Sequence, residues 1–420
     1  MISLRRTLVA LGASALVAPL LLVGAAGAPA ASTWAARTSA GPQDDHIGAA
    51  EAAVAWQRIA VRTIWTEPVA TLPPPVCSMY LTFTSLAVHD AARQAQRVGR
   101  VAATAAVATA AHDVLSEYFP ASRAHLDADL AATMARVPDG WKADAGSLIG
   151  AAAAAAMIAS RVDDGRFNPA ILYDKAPAPG VWQPVPDGAM ALAWLGFLKP
   201  VVAVEAVTLD GPDALTSAAY AADYQEVASV GSATSTTRTA EQTATSQFFA
   251  PPTISAAYRL AVCDVVDAEP LGLLPTTRLF ARIDASVLTS FIRTFRLKYD
   301  VGFWRPFQAI AGAASDGNSG TTPQTGWVGL LQPTPAYSDY TSGHAAATSP
   351  FAEVLRQTLG DDTPLVLQVG TQTRRYATVS ALERDALNSR IWGGLHFRDA
   401  MEDGYYLGHM TAQRVMAVIR

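Results

Sequence analysis

Residues 340–347 read YTSGHAAA, and the fold and the chemistry of the whole chain are best interpreted outward from this stretch. The alanine run that begins at Ala345 predicts an α-helix that starts here. The N-terminus of a helix exposes unpaired backbone N–H groups with partial positive charge, so it can bind an anion. Gly343 lets an oxyanion approach the backbone, Ser342 can donate through its hydroxyl, and His344 can move a proton. Taken alone, the same pattern also fits an ordinary N-cap turn.

A second stretch, residues 298–306, reads KYDVGFWRP and continues a long predicted helix. Lys298 and Arg305 are seven residues apart, so on a helix both would point the same way, about 10 Å apart along the axis. Pro306 biases Arg305 away from helical backbone and is expected to end the helix nearby. Two cations beside apolar aromatic residues are costly to bury unless an anion lies between them. A solvated pair at a helix end is the alternative.

A third stretch, residues 389–396, reads SRIWGGLH at the end of a predicted helix over residues 381–391. Its two adjacent glycines should break that helix. Arg390 and His396 are therefore expected to turn toward one point, although six residues is not a helical repeat.

The composition indicates packed helices rather than sheets. Hydrophobic residues make up 50% of the 420 residues, alanine is abundant and aromatic residues are only 8%. Residues 166–200 are rich in Pro, Gly and Trp and are predicted to form a long wrapping loop. We therefore expect an all-α fold of helical bundles. Further helices are predicted over residues 49–65, 80–93, 101–118, 126–137, 145–162, 214–228, 241–249, 256–266, 279–297 and 400–420.

The N-terminus has the pattern of a secretory signal. Arg5 and Arg6 precede an apolar run over residues 8–23, and small residues follow through Ala31. We expect residues 1–31 to be a signal peptide, with a Sec or a twin-arginine route both open, and the mature protein to be secreted or extracytoplasmic. An uncut membrane anchor is the alternative. No later run of 18 apolar residues occurs, so no membrane span is expected in the mature chain.

The mature chain is expected to comprise an N-terminal helical region, residues 32–230, and a C-terminal helical region, residues 231–420, joined in one compact unit. The sequence has 31 basic and 36 acidic residues, a net charge of −5, and −7 once the two signal arginines are removed. Such a balance argues against general nucleic-acid binding. The two cysteines, Cys77 and Cys263, do not make a zinc site. A disulfide and two buried free thiols both remain open.

Together the three stretches resemble the three-part signature shared by vanadium-dependent haloperoxidases and the type 2 phosphatidic acid phosphatase superfamily. Order, internal spacing and intervals all match over about 100 residues. The preceding helical half, which ends in residues 239–243, TAEQT, before Phe248 and Phe249, is similar to the bacterial haloperoxidase-like branch. The resemblance implies a mostly α fold, with four-helix bundles around a buried oxyanion. The matching elements are Lys298-x6-Arg305-Pro306, Ser342-Gly343-His344 and Ser389-Arg390-x5-His396.

The resemblance also implies a cofactor, vanadate, whose site phosphate can share. His396 would bond to the vanadium and His344 would be the acid–base. The catalytic residues would then be His344, His396 and Lys298. The oxyanion would be held by Lys298, Arg305, Ser342, Gly343, Arg390 and His396.

Three functions stay open at this stage. The first is a haloperoxidase that acts on hydrogen peroxide, a halide and a small organic substrate. The second is an acid phosphatase that hydrolyses a phosphoester through a phosphohistidine at His396. The third is a non-catalytic oxyanion-binding protein.

The sequence departs from the family pattern at two positions. Thr341 stands where the family usually has proline. Ala400 stands where the family has an aspartate that orients the last histidine. Either a neighbouring carboxylate replaces it, with Asp399 one position away, or the site lacks this partner. A weakly activated His396 would modestly favour vanadate ligation over attack on a phosphoester.

Overall fold

Helices dominate the fold, which is given by a computed structural model that describes residues 46–68, 71–184 and 188–420. Over these residues there are thirteen α-helices and one two-stranded hairpin, so the predicted all-α class is confirmed. The described residues all belong to one compact unit, residues 45–420. The predicted signal peptide lies outside the described residues.

In chain order, the first seven helices are α1 (Ala49–Val61), α2 (Pro74–Ala95), α3 (Arg100–Tyr118), α4 (Arg123–Met134), α5 (Trp141–Ser160), α6 (Ala218–Val230) and α7 (Ala240–Phe248). A π-helical turn, Arg62–Thr66, extends α1. The other six are α8 (Ile254–Ala268), α9 (Leu273–Val301), α10 (Pro306–Gly312), α11 (Gly343–Leu359), α12 (Val379–Trp392) and α13 (Arg398–Val418). The antiparallel hairpin of β1 (Leu365–Val369) and β2 (Gln372–Tyr376) pairs Leu365 with Tyr376 and precedes α12.

Alanine and glycine let the N-terminal helices pack with their backbones nearly touching. Gly146 and Gly150 of α5 lie on α3, and a Cβ at these positions would come within 2.2 Å of the Ala102 carbonyl oxygen and 2.4 Å of the Ala106 carbonyl oxygen. Larger side chains would force the two helices apart, since close-packed interiors do not absorb added volume freely. This packing accounts for the alanine-rich composition of the N-terminal half.

The 29-residue helix α9 is the central element of the fold and packs against α2, α11 and α13. It ends at Val301, because Gly302 adopts a left-handed conformation with φ of 66°. Backbone of this kind suits glycine and terminates a helix. Arg305 therefore lies beyond α9, as the N-cap of α10, and Pro306 begins that next helix rather than ending α9.

The described parts of the predicted loop, residues 166–184 and 188–200, lie against the end of α9 and include one short 3₁₀ turn at Ala193–Phe197. Trp182 donates its backbone N–H to the Gly302 carbonyl (2.7 Å), and Trp304 donates to the Gly180 carbonyl (2.9 Å). These two bonds fix the turn that separates Lys298 from Arg305, the two predicted cations.

The helices α11 and α13 meet through two glycines of α13. A Cβ on Gly404 would lie 2.7 Å from the Ala345 Cβ, and one on Gly408 would lie 1.8 Å from the Ser349 Oγ. The first two turns of α11 are therefore packed directly on the α13 backbone. This contact holds the N-terminus of α11 in place.

Two further sequence expectations concern the cysteines and the membrane. Cys77 and Cys263 are both free and buried. Among the described helices one, α5, is long and apolar enough to cross a membrane, and 28% of its most apolar window is buried.

Candidate functional site

The N-terminus of α11 presents Ser342 and Gly343 as donors. The Ser342 Oγ caps the helix by accepting the backbone N–H of His344 (3.2 Å) and of Ala345 (3.4 Å), which leaves its own proton free to donate. A Cβ on Gly343 would meet only the Tyr337 hydroxyl, at 3.8 Å. Space for an anion therefore exists beside this backbone.

Thr341 stands at the position of the family proline. Its Oγ1 lies 3.2 Å from the Thr294 Oγ1 on α9. This contact ties the residue before the cap to the central helix.

Lys298 sits in the last turn of α9 and is completely buried. Its Nζ donates to the carbonyls of Ser338 (2.7 Å) and Asp339 (2.8 Å), so one of its three N–H groups is uncommitted. Burial, and then the neighbouring Arg305, hold the Lys298 pKa well below its usual value, while Asp339 opposes this effect. A nearby anion would favour the charged amine.

Arg305 is also fully buried, and its guanidinium is anchored on one side only. Its Nε donates to the Tyr337 carbonyl (2.8 Å), and its Nη1 donates to the Leu395 carbonyl (2.8 Å) and lies 3.2 Å from the His396 Nε2. Its Nη2 has no partner. A buried N–H without a partner is costly, which indicates that a ligand normally accepts from it.

The predicted reason for the convergence of Lys298 and Arg305 was wrong, although the two residues do converge. They do not lie on one helical face, because the left-handed Gly302 turns the chain after Val301. Instead they meet at the Tyr337 ring, whose centroid is 5.0 Å from the Lys298 Nζ and 4.9 Å from the Arg305 Cζ.

Arg390 lies in the last turn of α12, where the Gly393-Gly394 pair ends the helix as expected. Its Nη1 reaches the Phe249 carbonyl at 3.5 Å, and its Nε has no partner. Burial lowers the Arg390 pKa to about 10. Arg390 is thus a weakly held cation that is close enough to Arg305 for the two charges to interact.

His396 is buried beside a carboxylate that the sequence analysis did not identify. Its Nδ1 lies 2.8 Å from the Asp339 Oδ1, in a contact too poorly aligned to count as a hydrogen bond, and its Nε2 faces Arg305. Burial lowers the pKa of His396 well below its usual value and raises that of Asp339 to about 7. The imidazole is therefore neutral, and the lone pair of its Nε2, which Arg305 contacts, is the one that a ligand would use.

The acidic residues near Ala400 do not supply this partner. Asp399 accepts the backbone N–H of Asp213 (3.4 Å), and Asp403 accepts the Tyr340 hydroxyl. Asp339 reaches the histidine from another part of the chain, three residues before Ser342. Asp339 is therefore the carboxylate that lies beside His396 in place of the family aspartate at position 400.

His344 faces the same site from the first turn of α11. Its Nε2 is buried without a partner, and the Phe249 ring stands edge-on to it with centroids 6.0 Å apart. Burial, and then Arg390, hold the His344 pKa well below its usual value. Together with Gly343 and Arg390 it lines a cavity of about 230 Å³. His344 is thus a neutral group placed between a cation and an open space.

Among the described residues, the site combines three buried basic side chains, two neutral histidines and one carboxylate. Unpartnered N–H groups remain on Arg305 and Arg390, and such a set fits a tetrahedral oxyanion. No group of three or more His, Cys, Asp or Glu suited to a metal cation occurs in the described part of the chain. Vanadate, an oxyanion held through a single histidine, is compatible with this donor set.

Comparison with known proteins supports the same family. Residues 278–420 match the family model of the VCPO second helical-bundle domain. Comparison with curated protein sequences finds no match.

Three solved structures resemble this protein over most of its length. One is a bacterial vanadium-dependent iodoperoxidase, with a TM-score of 0.69 and 18% identity over 88% of this chain and 95% of that chain. Two others are bacterial vanadium-dependent chloroperoxidases. The apo-type structure has a TM-score of 0.66 and 14% identity over 84% of this chain and 95% of that chain. The holo-type structure has a TM-score of 0.65 and 14% identity over 85% and 95%.

The identities are low, so these likenesses establish the fold. The family model covers residues 278–420, and together with the fold it supports a relationship to the vanadium haloperoxidase and type 2 phosphatidic acid phosphatase superfamily.

Proposed function

We propose that this protein belongs to that superfamily and is a vanadate-dependent haloperoxidase that uses hydrogen peroxide to oxidise a halide. One observation carries the proposal: Lys298, Arg305 and Arg390 are buried with uncommitted N–H groups, and among the described residues Asp339 is the one carboxylate whose charge acts on Lys298 and Arg305. Buried positive charge of this density needs an anion. The named structural neighbours are all vanadium-dependent haloperoxidases, which supports vanadate as that anion.

The residues that would hold vanadate follow from their free donors and acceptors. The three cations would neutralise its oxygens, with Arg305 and Arg390 using their planar donor sets and Lys298 acting as a point charge. Ser342 and the Gly343 N–H would donate to it, and the His396 Nε2 would bond to the vanadium. Bound vanadate supplies the Lewis acidity that activates hydrogen peroxide toward a halide. Phosphate would occupy the same place.

The side chains of this protein supply the proton chemistry and the polarisation. His344 would accept or donate a proton at the edge of the site, since it is neutral and its Nε2 has no protein partner. Lys298 would direct its remaining N–H at an oxygen of the peroxide and polarise it. Asp339 would fix the orientation of the His396 ring.

An acid phosphatase is the second candidate, and the Asp339–His396 contact favours it. A carboxylate beside a histidine raises the basicity that a nucleophile needs. The predicted weak activation of His396 assumed that no carboxylate lies beside it, whereas the Asp339 Oδ1 lies 2.8 Å from its Nδ1. A non-catalytic oxyanion-binding protein remains as the third candidate.

Two assays on the purified protein separate these functions. After loading with vanadate, the protein should form triiodide from iodide, or brominate a dye from bromide, only when peroxide is present. Without vanadate it should not hydrolyse p-nitrophenyl phosphate. Phosphoester turnover without halide oxidation would instead identify a phosphatase. Tight phosphate binding with neither activity would identify a binding protein.

We also propose that the protein is exported, on the basis of the signal-like residues 1–31. The mature chain should begin near residues 29–33. Mass spectrometry of the secreted or periplasmic protein tests this, and an intact Met1 would contradict it.

A further inference from the structure

We propose that the outer face of helix α5 is the interface of a homodimer, in which α5 packs antiparallel against α5 of a second copy of the chain. The inference is independent of the proposed function, because α5 contributes no residue to the oxyanion site. We name this face the α5 seam. Its six residues, of which five are exposed and Ala145 is half-buried, are Trp141, Ala145, Leu148, Ala152, Ala155 and Ala159.

The α5 seam points away from the core of the protein. Gly146 and Gly150 face α3, and Leu148 lies two residues from each of them, about 200° around the helix. Trp141 is 68% exposed and Leu148 is 73% exposed, the two highest values among the large hydrophobic side chains in the described part of the chain. A surface helix ordinarily turns polar residues outward. The seam is therefore an apolar face that the described chain leaves uncovered.

The apolar character extends along the whole helix. Residues 145–160 contain no charged side chain. The helix has 20 residues, which makes it about 30 Å long. Contiguous apolar surface of this kind on a soluble protein marks a site of interaction, because contact with water along it is costly. A partner that covers the seam would remove that cost.

The spacing of the seam indicates that the partner is a helix. The seam residues follow one another at intervals of four, three, four, three and four residues. These are the a and d intervals with which one α-helix packs along another. A membrane surface instead favours Lys and Arg beside the apolar face, whereas Lys142 is the one basic residue of α5 and the chain has a net charge of −5.

The sizes of the seam residues make the face complementary to itself. Trp141 and Leu148 belong to one set of alternate seam positions, and the other set is alanine throughout. In a parallel pair like positions meet, so bulky layers would alternate with alanine layers and leave voids. In an antiparallel pair Trp141 faces Ala159 of the second copy and Leu148 faces Ala152. A two-fold axis produces this arrangement, because it places the same patch of both copies in contact.

The size of the seam sets the expected strength of the dimer. Standard protein interfaces bury about 1,600 Å² in total, and two short helices whose seam is mostly alanine bury less than that. Interfaces at the low end of the size range form transient complexes. We therefore expect a dissociation constant on the order of 10 µM, with monomer and dimer in exchange.

Sedimentation equilibrium of the purified protein, over concentrations that span this dissociation constant, measures the association. The wild type should shift from monomer to dimer. Leu148→Glu and Ala152→Glu should each raise the dissociation constant by roughly tenfold or more, because each places a carboxylate in the seam. Both positions are exposed, so neither substitution should disturb the fold. Val418→Glu, at an exposed apolar position of α13, is the control and should dimerise like the wild type.

Disulfide formation between copies tests the antiparallel orientation. In that arrangement Ala145 faces Ala155 of the second copy, and the native Cys77 and Cys263 are buried and do not interfere. An equimolar mixture of Ala145→Cys and Ala155→Cys should give a disulfide-linked dimer under mild oxidation. Either variant alone should give little, since like positions lie about 15 Å apart along the helix axis. A parallel pair would cross-link each variant alone, and that result would overturn the proposed orientation.

Two sedimentation results would overturn the dimer itself: a protein that stays monomeric at every concentration, or a dimer that both glutamate variants leave intact. Binding of a monomer to vesicles of phosphatidylcholine and phosphatidylglycerol, lost in Leu148→Glu, would also overturn it, since the seam would then belong to a membrane surface. These measurements need neither vanadate nor halide, so they succeed or fail separately from the proposed function.

Discussion

The Oδ1 of Asp339 lies 2.8 Å from the Nδ1 of His396, although the two residues are 57 positions apart in the chain. Asp339 belongs to the loop that leads into α11, and its own backbone carbonyl accepts a hydrogen bond from Lys298. Its Oδ2 also accepts the Phe397 N–H at 3.4 Å. One residue therefore links the lysine, the histidine and the helix N-terminus of the site.

Asp339→Asn should weaken oxyanion binding without removing any proposed ligand. A proton on the His396 Nδ1, directed at Asp339, leaves the Nε2 lone pair available, and loss of such a partner typically costs 10- to 100-fold in affinity. Isothermal titration with vanadate should show that loss. Nitrogen NMR of the vanadate-free protein should show His396 shifting toward a mixture of its two tautomers.

The matched control for this experiment is Asp399→Asn. Asp399 is the acidic residue nearest to the family position, but its carboxylate accepts from Asp213 instead of contacting His396. Its substitution should leave both the affinity and the tautomer of His396 unchanged. If Asp399→Asn acted like Asp339→Asn, the orienting role given to Asp339 would be wrong.

Most residues of the site could be predicted from the sequence, but Asp339 could not. Spacing within each motif located the residues that the structure brings together around Tyr337. It could not reveal Asp339, because the expected carboxylate follows His396 by only four residues whereas the actual one comes from an earlier loop. The signal available was the position of Asp339 three residues before Ser342, and it has meaning only once the two segments are adjacent in space.

The fold was predictable to a similar degree. Helices over periodic segments appeared within a few residues of their expected limits, since burial of one face fixes a helix more firmly than its ends. The prediction missed the end of α9. The sequence suggested that Lys298 and Arg305 lie on one continuous helix, but Gly302 adopts a left-handed conformation and ends the helix between them. The β1–β2 hairpin was not assigned, since five-residue strands give little periodicity.

Alanine substitution of Lys298, Arg305 or Arg390 should each weaken oxyanion binding, and the losses should not add in pairs. The three cations share one ligand, so a second substitution acts on a site that has already been altered. Titration with vanadate or phosphate measures the effect. Arg296→Ala removes an exposed cation paired with Asp300 on the same helix and serves as the control. Unchanged affinity in all three site variants would rule out the site.

Gly408→Ala should destabilise the fold by about 1–3 kcal/mol, the range typical of overpacking. The new Cβ would overlap the Ser349 Oγ and approach the Pro350 Cδ to 2.7 Å, so α13 must shift away from α11. Vanadate affinity should fall as well, because α11 carries Ser342 and Gly343. Urea unfolding measures the stability, and Gly48→Ala, whose Cβ would meet nothing within 4 Å, is the control.

His89 should make the protein less stable in acid. Its Nδ1 lies 2.9 Å from the Thr277 Oγ1, and burial, aided by Arg93, Arg278 and Arg282, lowers its pKa to about 4. Above pH 6.5 the imidazole is neutral in both folded and unfolded chains. As the pH falls from 6.5 to 4, only the unfolded chain gains the proton, so the free energy of unfolding decreases.

The contribution of His89 should be about 1–3 kcal/mol across that pH range. It is measured as the difference in free energy of unfolding between the wild type and His89→Gln, which cannot titrate. His125→Gln, at a side chain that is 73% exposed, is the control and should follow the wild-type pH dependence. A pH-independent difference between wild type and His89→Gln would show that His89 is not the source.

The His396→Ala and His344→Ala variants should lose different properties, the first vanadate binding and the second turnover. His396 is proposed to make the only bond from the protein to vanadium, so His396→Ala should lose most of the bound vanadate. His344 is proposed to move only protons, and Lys298, Arg305 and Arg390 remain in its variant. His344→Ala should therefore retain much of the vanadate affinity but lose turnover by roughly 10²–10⁴, the usual contribution of a general acid–base.

The pH profile separates the two roles further. Because burial and Arg390 hold the His344 pKa low, the neutral imidazole persists at mildly acidic pH, and its protonation at still lower pH should switch off its action as a base. His344→Ala should thus lose the acidic limb of the turnover profile, whereas weakened binding in His396→Ala should be partly offset by excess vanadate. Both variants should be assayed with peroxide and halide and with p-nitrophenyl phosphate, since a phosphatase would divide the roles in the same way. Loss of binding in His344→Ala with intact binding in His396→Ala would reverse the assignment.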